Sequence, residues 1–148
     1  MQMQRFTIPR DVYIGSGAID RLKELQGRRA FIVIGSQRLI KDGTVPKVQT
    51  LLREAGIASE VLAGIEADPT VATVKMGAQK MLDYQPDLII GIGGGSPIDA
   101  AKAMWIFYEY PAFTFEEAAK PFNLPTLRKK ARFIAIPTTS GTGTEVTS

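Results

Sequence analysis

Leu88 to Ile92 reads LIIGI, without a polar side chain, and opens directly onto Gly93, Gly94, Gly95 and Ser96 ahead of Pro97. A strand that shows no polar alternation belongs in a sheet covered on both faces, the habit of parallel sheets. A parallel neighbour can be reached only through a crossover, usually a helix. The segment therefore demands further strands of the same kind, with helical stretches between them.

The rest of the chain supplies both. Ala30 to Ile34 (AFIVI) and Phe133 to Ile136 (FIAI) are similar apolar runs, and Ile57 to Leu62 is a further short strand. Arg5 to Ile14 reads as extended, broken or edged by Pro9. Ala18 to Leu25 has helical spacing through Ile19, Leu22 and Leu25, with Gly27 as its stop. Val45 to Ala55 is a crossover helix with Pro46 in its first turn and Gly56 closing it. Asp68 is expected at the cap of the next helix, with Pro69 at its first position and Val71, Val74, Ala78 and Leu82 along one side. A helix from about Pro97 to Tyr108 follows the glycines, and Glu116 to Lys120 can form a short one. Strands alternating with helices predict an α/β, Rossmann-like layered domain with a mainly parallel sheet flanked by helices.

Ligands of such sheets bind beyond the carboxyl ends of the strands. Three small-residue clusters fall on that rim: Gly35 with Ser36, Gly93 to Ser96, and Thr138 to Thr144. At the second, glycines let main-chain amides approach a ligand, and Ser96 is a candidate cap for a helix whose amino end attracts phosphate. The pattern predicts a pyrophosphate site. It is not a Walker A loop, because Lys102 lies inside the helix and is followed by Ala103. Asp99 can pair with Lys102, and binding turn amides suits it better than proton transfer. Thr138, Thr139, Thr142 and Thr144 offer hydroxyls for ribose, amide or phosphate oxygens. After the first apolar strand, where an acidic residue would hold the ribose hydroxyls of NAD, stand Gly35, Ser36 and Gln37, with Arg38 nearby. That favours NADP over NAD.

Composition narrows the chemistry. The 148 residues fit one domain, and a net charge of +3 with dispersed Lys and Arg carries no nucleic-acid motif. The basic run Arg128 to Lys130 is a solvated edge or a favourable field for a phosphate. There is no cysteine and no histidine, so thiolate chemistry is excluded and metal catalysis is poorly supplied within this chain. No segment is long and apolar enough to span a membrane, which makes the cytoplasm the default expectation.

Four segments together resemble the iron-containing (group III) alcohol dehydrogenases: YIGSGAIDRL (13–22), ADPT (67–70), GIGGGSPIDAAKA (91–103) and FIAIPTTSGTGTEVTS (133–148). The resemblance implies a two-domain, homo-oligomeric enzyme, a dimer, that interconverts alcohols with aldehydes or ketones by hydride exchange with NADP or NAD. Residues 1–148 would be its amino-terminal dinucleotide-binding domain, incomplete at the carboxyl end. The all-helical domain carrying divalent iron or zinc, on one aspartate and three histidines, would lie beyond Ser148, leaving this chain inactive alone. The family's pyrophosphate turn falls on Gly93 to Ser96. Asp68 stands where many members have asparagine, and Thr144 where serine is usual. A glycerol or polyol-phosphate dehydrogenase relative and a non-catalytic nucleotide-binding scaffold are the alternatives.

Overall fold

The computed structural model describes residues 11–139. Strands β1 (Arg29–Ile34), β2 (Ala58–Leu62), β3 (Leu88–Gly93) and β4 (Arg132–Pro137) form one sheet in the order β2-β1-β3-β4, all parallel. A 3-10 helix (Ala18–Glu24) precedes them. Between them run α1 (Arg38–Lys41), α2 (Thr44–Glu54), α3 (Val71–Tyr84), α4 (Gly95–Glu109) and α5 (Phe115–Ala118). The α/β architecture expected from the apolar runs is the one observed.

Alternation along the two central strands builds two cores. Ala30, Ile32 and Ile34 of β1 join Leu88, Ile90 and Ile92 of β3 against Val45, Val48, Leu51 and Leu52 of α2. Phe31, Val33 and Ile89 point the other way, onto Val74, Ala78 and Met81 of α3 and Ala101, Met104 and Trp105 of α4. Each large apolar side chain so buried contributes about 1.5–3 kcal/mol. β3 is buried throughout, whereas β2 and β4, at the edges, are only partly covered among the described residues. Helix α4 lies directly on β3: a Cβ added at Gly91 would stand 3.2 Å from the Ile98 Cα.

Several boundaries differ from the sequence reading. Thr70, not Asp68, caps α3, its hydroxyl accepting the Thr73 amide at 3.1 Å, and Pro69 stays outside the helix. A residue before proline is biased toward extended backbone, which delays the start. Gly94, not Ser96, is the cap of α4, so Ser96 and Pro97 are its second and third residues. Proline is harmless there because first-turn amides have no intrahelical acceptor. The first helical segment is 3-10, and α5 begins earlier than expected because Thr114 and Glu117 form a reciprocal capping box. Of the extended segment read over 5–14, residues 11–14 form no strand and the remainder lies outside the described residues.

Two carboxylates fix the amino ends of the strands. Asp87 accepts the amides of Arg28 at 2.8 Å and Arg29 at 3.0 Å, tying β1 to the start of β3. Glu109, 7% exposed at the end of α4, is caged more completely. Its Oε1 accepts Trp105 Nε1 at 3.0 Å and the amides of Arg128, Lys130 and Ala131 at 3.1, 3.1 and 3.2 Å, and its Oε2 accepts that of Lys129 at 3.2 Å. The basic run is therefore held at the opposite end of the sheet from the carboxyl rim, and the phosphate-field reading of it falls. Each buried donor left without a partner costs about 1–3 kcal/mol. Glu109→Ala is expected to lose about 3 kcal/mol or more in urea denaturation, and Glu109→Gln, which keeps one acceptor oxygen, to lose less.

Candidate functional site

In the order β2-β1-β3-β4 the chain leaves β1 toward one edge and β3 toward the other. A crevice opens where such connections diverge, beyond the carboxyl ends of the strands. Here it is a cleft of about 410 Å³ lined by Gly35, Ser36, Arg38, Leu39, Asp42, Gly93, Gly94, Pro97 and Thr138. Six of the residues singled out from sequence thus meet in one place: Gly35, Ser36, Arg38, Gly93, Gly94 and Thr138.

Backbone bonds hold the rim together. Thr138 donates its amide to the Gly93 carbonyl at 2.8 Å, carrying the sheet pairing one step past β4. Gly64 and Ile65 donate to the carbonyls of Gly35 and Ile34 at 3.1 and 3.3 Å, folding the segment after β2 over the end of β1. Ser36 Oγ accepts the Arg38 amide at 3.1 Å and turns the chain into α1.

Two glycines do different work. Gly93 has φ +138°, which side-chain-bearing residues rarely adopt, and a Cβ there would meet Pro97 Cγ at 2.7 Å. Gly94 has φ −81°, open to any residue, and its absent side chain keeps the cleft clear; the first atom a Cβ would meet is Thr139 Oγ1, at 3.4 Å. Helix α4 then begins without a side-chain cap and without an acidic residue in its first turn. Its free amino end, with the partial positive charge of the helix, is suited to an anion.

Other expected residues stand elsewhere. Gly95 and Ser96 form the first turn of α4, and the Ser96 hydroxyl donates to the Ala67 carbonyl, clasping the 63–70 segment to the glycine turn. Asp68, in that segment, is exposed and does not line the cleft. Asp99 is an exposed residue of α4, also outside the lining. Thr142 and Thr144 lie outside the described residues.

Sequence reasoning missed Asp42. It sits past the four-residue α1, too short to leave a period, although Asp42-Gly43-Thr44 is a recognisable cap signal ahead of α2. Its Oδ1 accepts the Thr44 amide at 2.9 Å. That bond, the Thr44 hydroxyl and the nearby Arg38 charge hold its carboxyl below the ordinary range. Glu66 was missed too. Its carboxylate accepts the Thr73 hydroxyl at 2.5 Å and the Thr70 amide at 3.2 Å, which pulls its ionisation down and pins the segment that Ser96 clasps. Among the described residues, no group of three or more His, Cys, Asp or Glu could hold a metal ion.

The comparisons with known proteins agree with one another. Residues 9–148 match the family described as iron-containing alcohol dehydrogenase. An NADPH-dependent butanol dehydrogenase of Clostridium saccharobutylicum is 54% identical over 99% of this chain, which spans 38% of that protein. An iron-containing alcohol dehydrogenase structure from Thermococcus thioreducens superimposes with a TM-score of 0.86 at 33% identity, covering 97% of this chain and 39% of the other. A 1,3-propanediol oxidoreductase structure gives a TM-score of 0.88 at 32% identity, covering 99% and 38%.

Two outcomes follow from the local geometry. Gly93→Ala is expected to destabilise the fold by about 1–3 kcal/mol, from strain at positive φ and overpacking on Pro97, as read by urea denaturation. A carboxyl with a depressed folded value contributes stability that is present above its unfolded value and lost as pH falls through the folded one. The stability gap between the native chain and Glu66→Gln should therefore be open at neutral pH and close as acidification takes the carboxyl from its ordinary range down through its lowered folded value.

Proposed function

Because the chain belongs to the iron-containing alcohol dehydrogenase family, we propose that it is the dinucleotide-binding part of a metal-dependent oxidoreductase that interconverts alcohols with aldehydes or ketones. The observation that carries this reading is the meeting of Gly35, Ser36, Arg38, Gly93, Gly94 and Thr138 in one cleft at the divergence of β1 and β3.

The chemistry of the cleft suits a dinucleotide. An added Cβ at Gly94 would intrude toward Thr139, in the space a phosphate needs to approach the backbone. The amides of Gly95 and Ser96 and the positive end of α4 hold the pyrophosphate. Thr138 and Thr139 present hydroxyls beside it, and Thr142 and Thr144, further along the same segment of sequence, complete the proposed contact set. When bound, the nicotinamide gives or takes hydride at its C4 carbon. The divalent iron or zinc that would polarise the alcohol or carbonyl oxygen is assigned to other parts of the enzyme, so this chain binds cofactor without turning over substrate. The substrate is a small-molecule alcohol or carbonyl compound, and the enzyme a homo-oligomer.

NADP is the preferred dinucleotide. Gly35 and Ser36 put no acid directly after β1, Arg38 lines the cleft, and a relative 54% identical is named as NADPH-dependent.

Fluorescence titration with NADPH and NADH tests the proposal. The chain should bind NADPH more tightly, and Gly94→Val, whose backbone tolerates a side chain, should abolish binding with its circular dichroism unchanged. Undiminished binding in that variant would overturn the assignment of the turn. Arg38→Ala should weaken NADPH about tenfold, through loss of a charge-assisted phosphate bond, and leave NADH nearly unaffected.

A further inference from the structure

The cleft holds an acid after all, delivered by a route other than the end of β1. Helix α1 lasts four residues, and its cap bond, from the Asp42 amide to the Arg38 carbonyl at 2.9 Å, returns the chain to the same cavity. Arg38 and Asp42, four residues apart, line it together with Gly35 and Ser36. A cation and an anion thus stand over the place where the sequence alone showed neither acid nor obstruction.

We propose that Asp42 is a specificity-determining residue of this cleft, its carboxylate accepting the ribose hydroxyls of NAD(H) and opposing the 2′-phosphate that Arg38 attracts. The inference rests on reading the cleft as a dinucleotide site, and it makes the preference for NADPH a restrained one. An ionised carboxylate has about four acceptor positions. The Thr44 amide and hydroxyl engage two of them, which leaves capacity for a vicinal diol. The bonds to Thr44 also hold the group in its charged form at neutral pH and fix its place ahead of α2. For a phosphorylated ribose the same charge is unfavourable: it repels the phosphate directly and offsets part of the field of Arg38. Leu39, between the two in sequence, supplies an apolar wall to the cleft.

Asp42→Asn separates the charge from the turn, because its side-chain carbonyl can still accept the Thr44 amide. Dissociation constants for NADPH and NADH are measured by titration of the native chain and the variant. Loss of a charged acceptor should weaken NADH about tenfold. Removal of an exposed repulsive charge should tighten NADPH about two- to fivefold, with the gain shrinking as salt is raised. Asp42→Ser, which also retains an acceptor for the turn, should shift the two nucleotides in the same opposite directions. An unchanged ratio of the two constants, or equal movement of both in one direction, would overturn the role of Asp42 while leaving the cleft a dinucleotide site. Failure of the folded native chain to bind either nucleotide would instead overturn the reading of the cleft and this inference with it.

Discussion

Burial of β1 and β3 on both faces is the constraint from which the other features follow. A strand with apolar side chains on either side must be covered twice, so α2 lies on one face and α3 with α4 on the other. Parallel pairing then brings every strand out at the same rim. Because consecutive crossovers leave β1 and β3 toward opposite edges, their loops part there instead of packing together. The cleft is the geometric residue of satisfying the core, and much of its floor is backbone because Gly35 directly follows β1 and Gly93 ends β3.

That dependence explains what was legible in the sequence. Apolar runs without alternation specify central parallel strands, and LIIGI and AFIVI were readable for that reason. Small residues immediately after such runs mark the rim, which makes Gly35, Ser36, Gly93 and Gly94 readable from sequence. Helix starts were less legible. Asp68-Pro69-Thr70 contains two acceptable caps, and the hydroxyl that reaches the third amide decided in favour of Thr70. At Ser96 a good capping side chain was diverted to the Ala67 carbonyl, a partner 29 residues distant that no local rule could supply.

Asp42 and Glu109 were illegible for different reasons. Asp42 reaches the cleft only because α1 is short, and a single helical turn leaves no hydrophobic period. Glu109 looks like one more charged residue at the end of a helix. Its importance comes from four consecutive main-chain amides folding around it from the far end of a long connection, which is a property of tertiary structure alone.

The cage around Glu109 also fixes both ends of the long connection between α4 and β4. By clamping residues 128–131 to the end of α4, it closes 110–127 into a loop whose two ends are held together. Ring closure depends only logarithmically on loop length, so lengthening that segment costs little once the ends are fixed. The start of β4 would stay in register with β3, and Thr138 would still arrive beside Gly93 at the opposite end of the sheet. A single buried carboxylate thus helps to hold the carboxyl rim of the sheet in register from the sheet's far end.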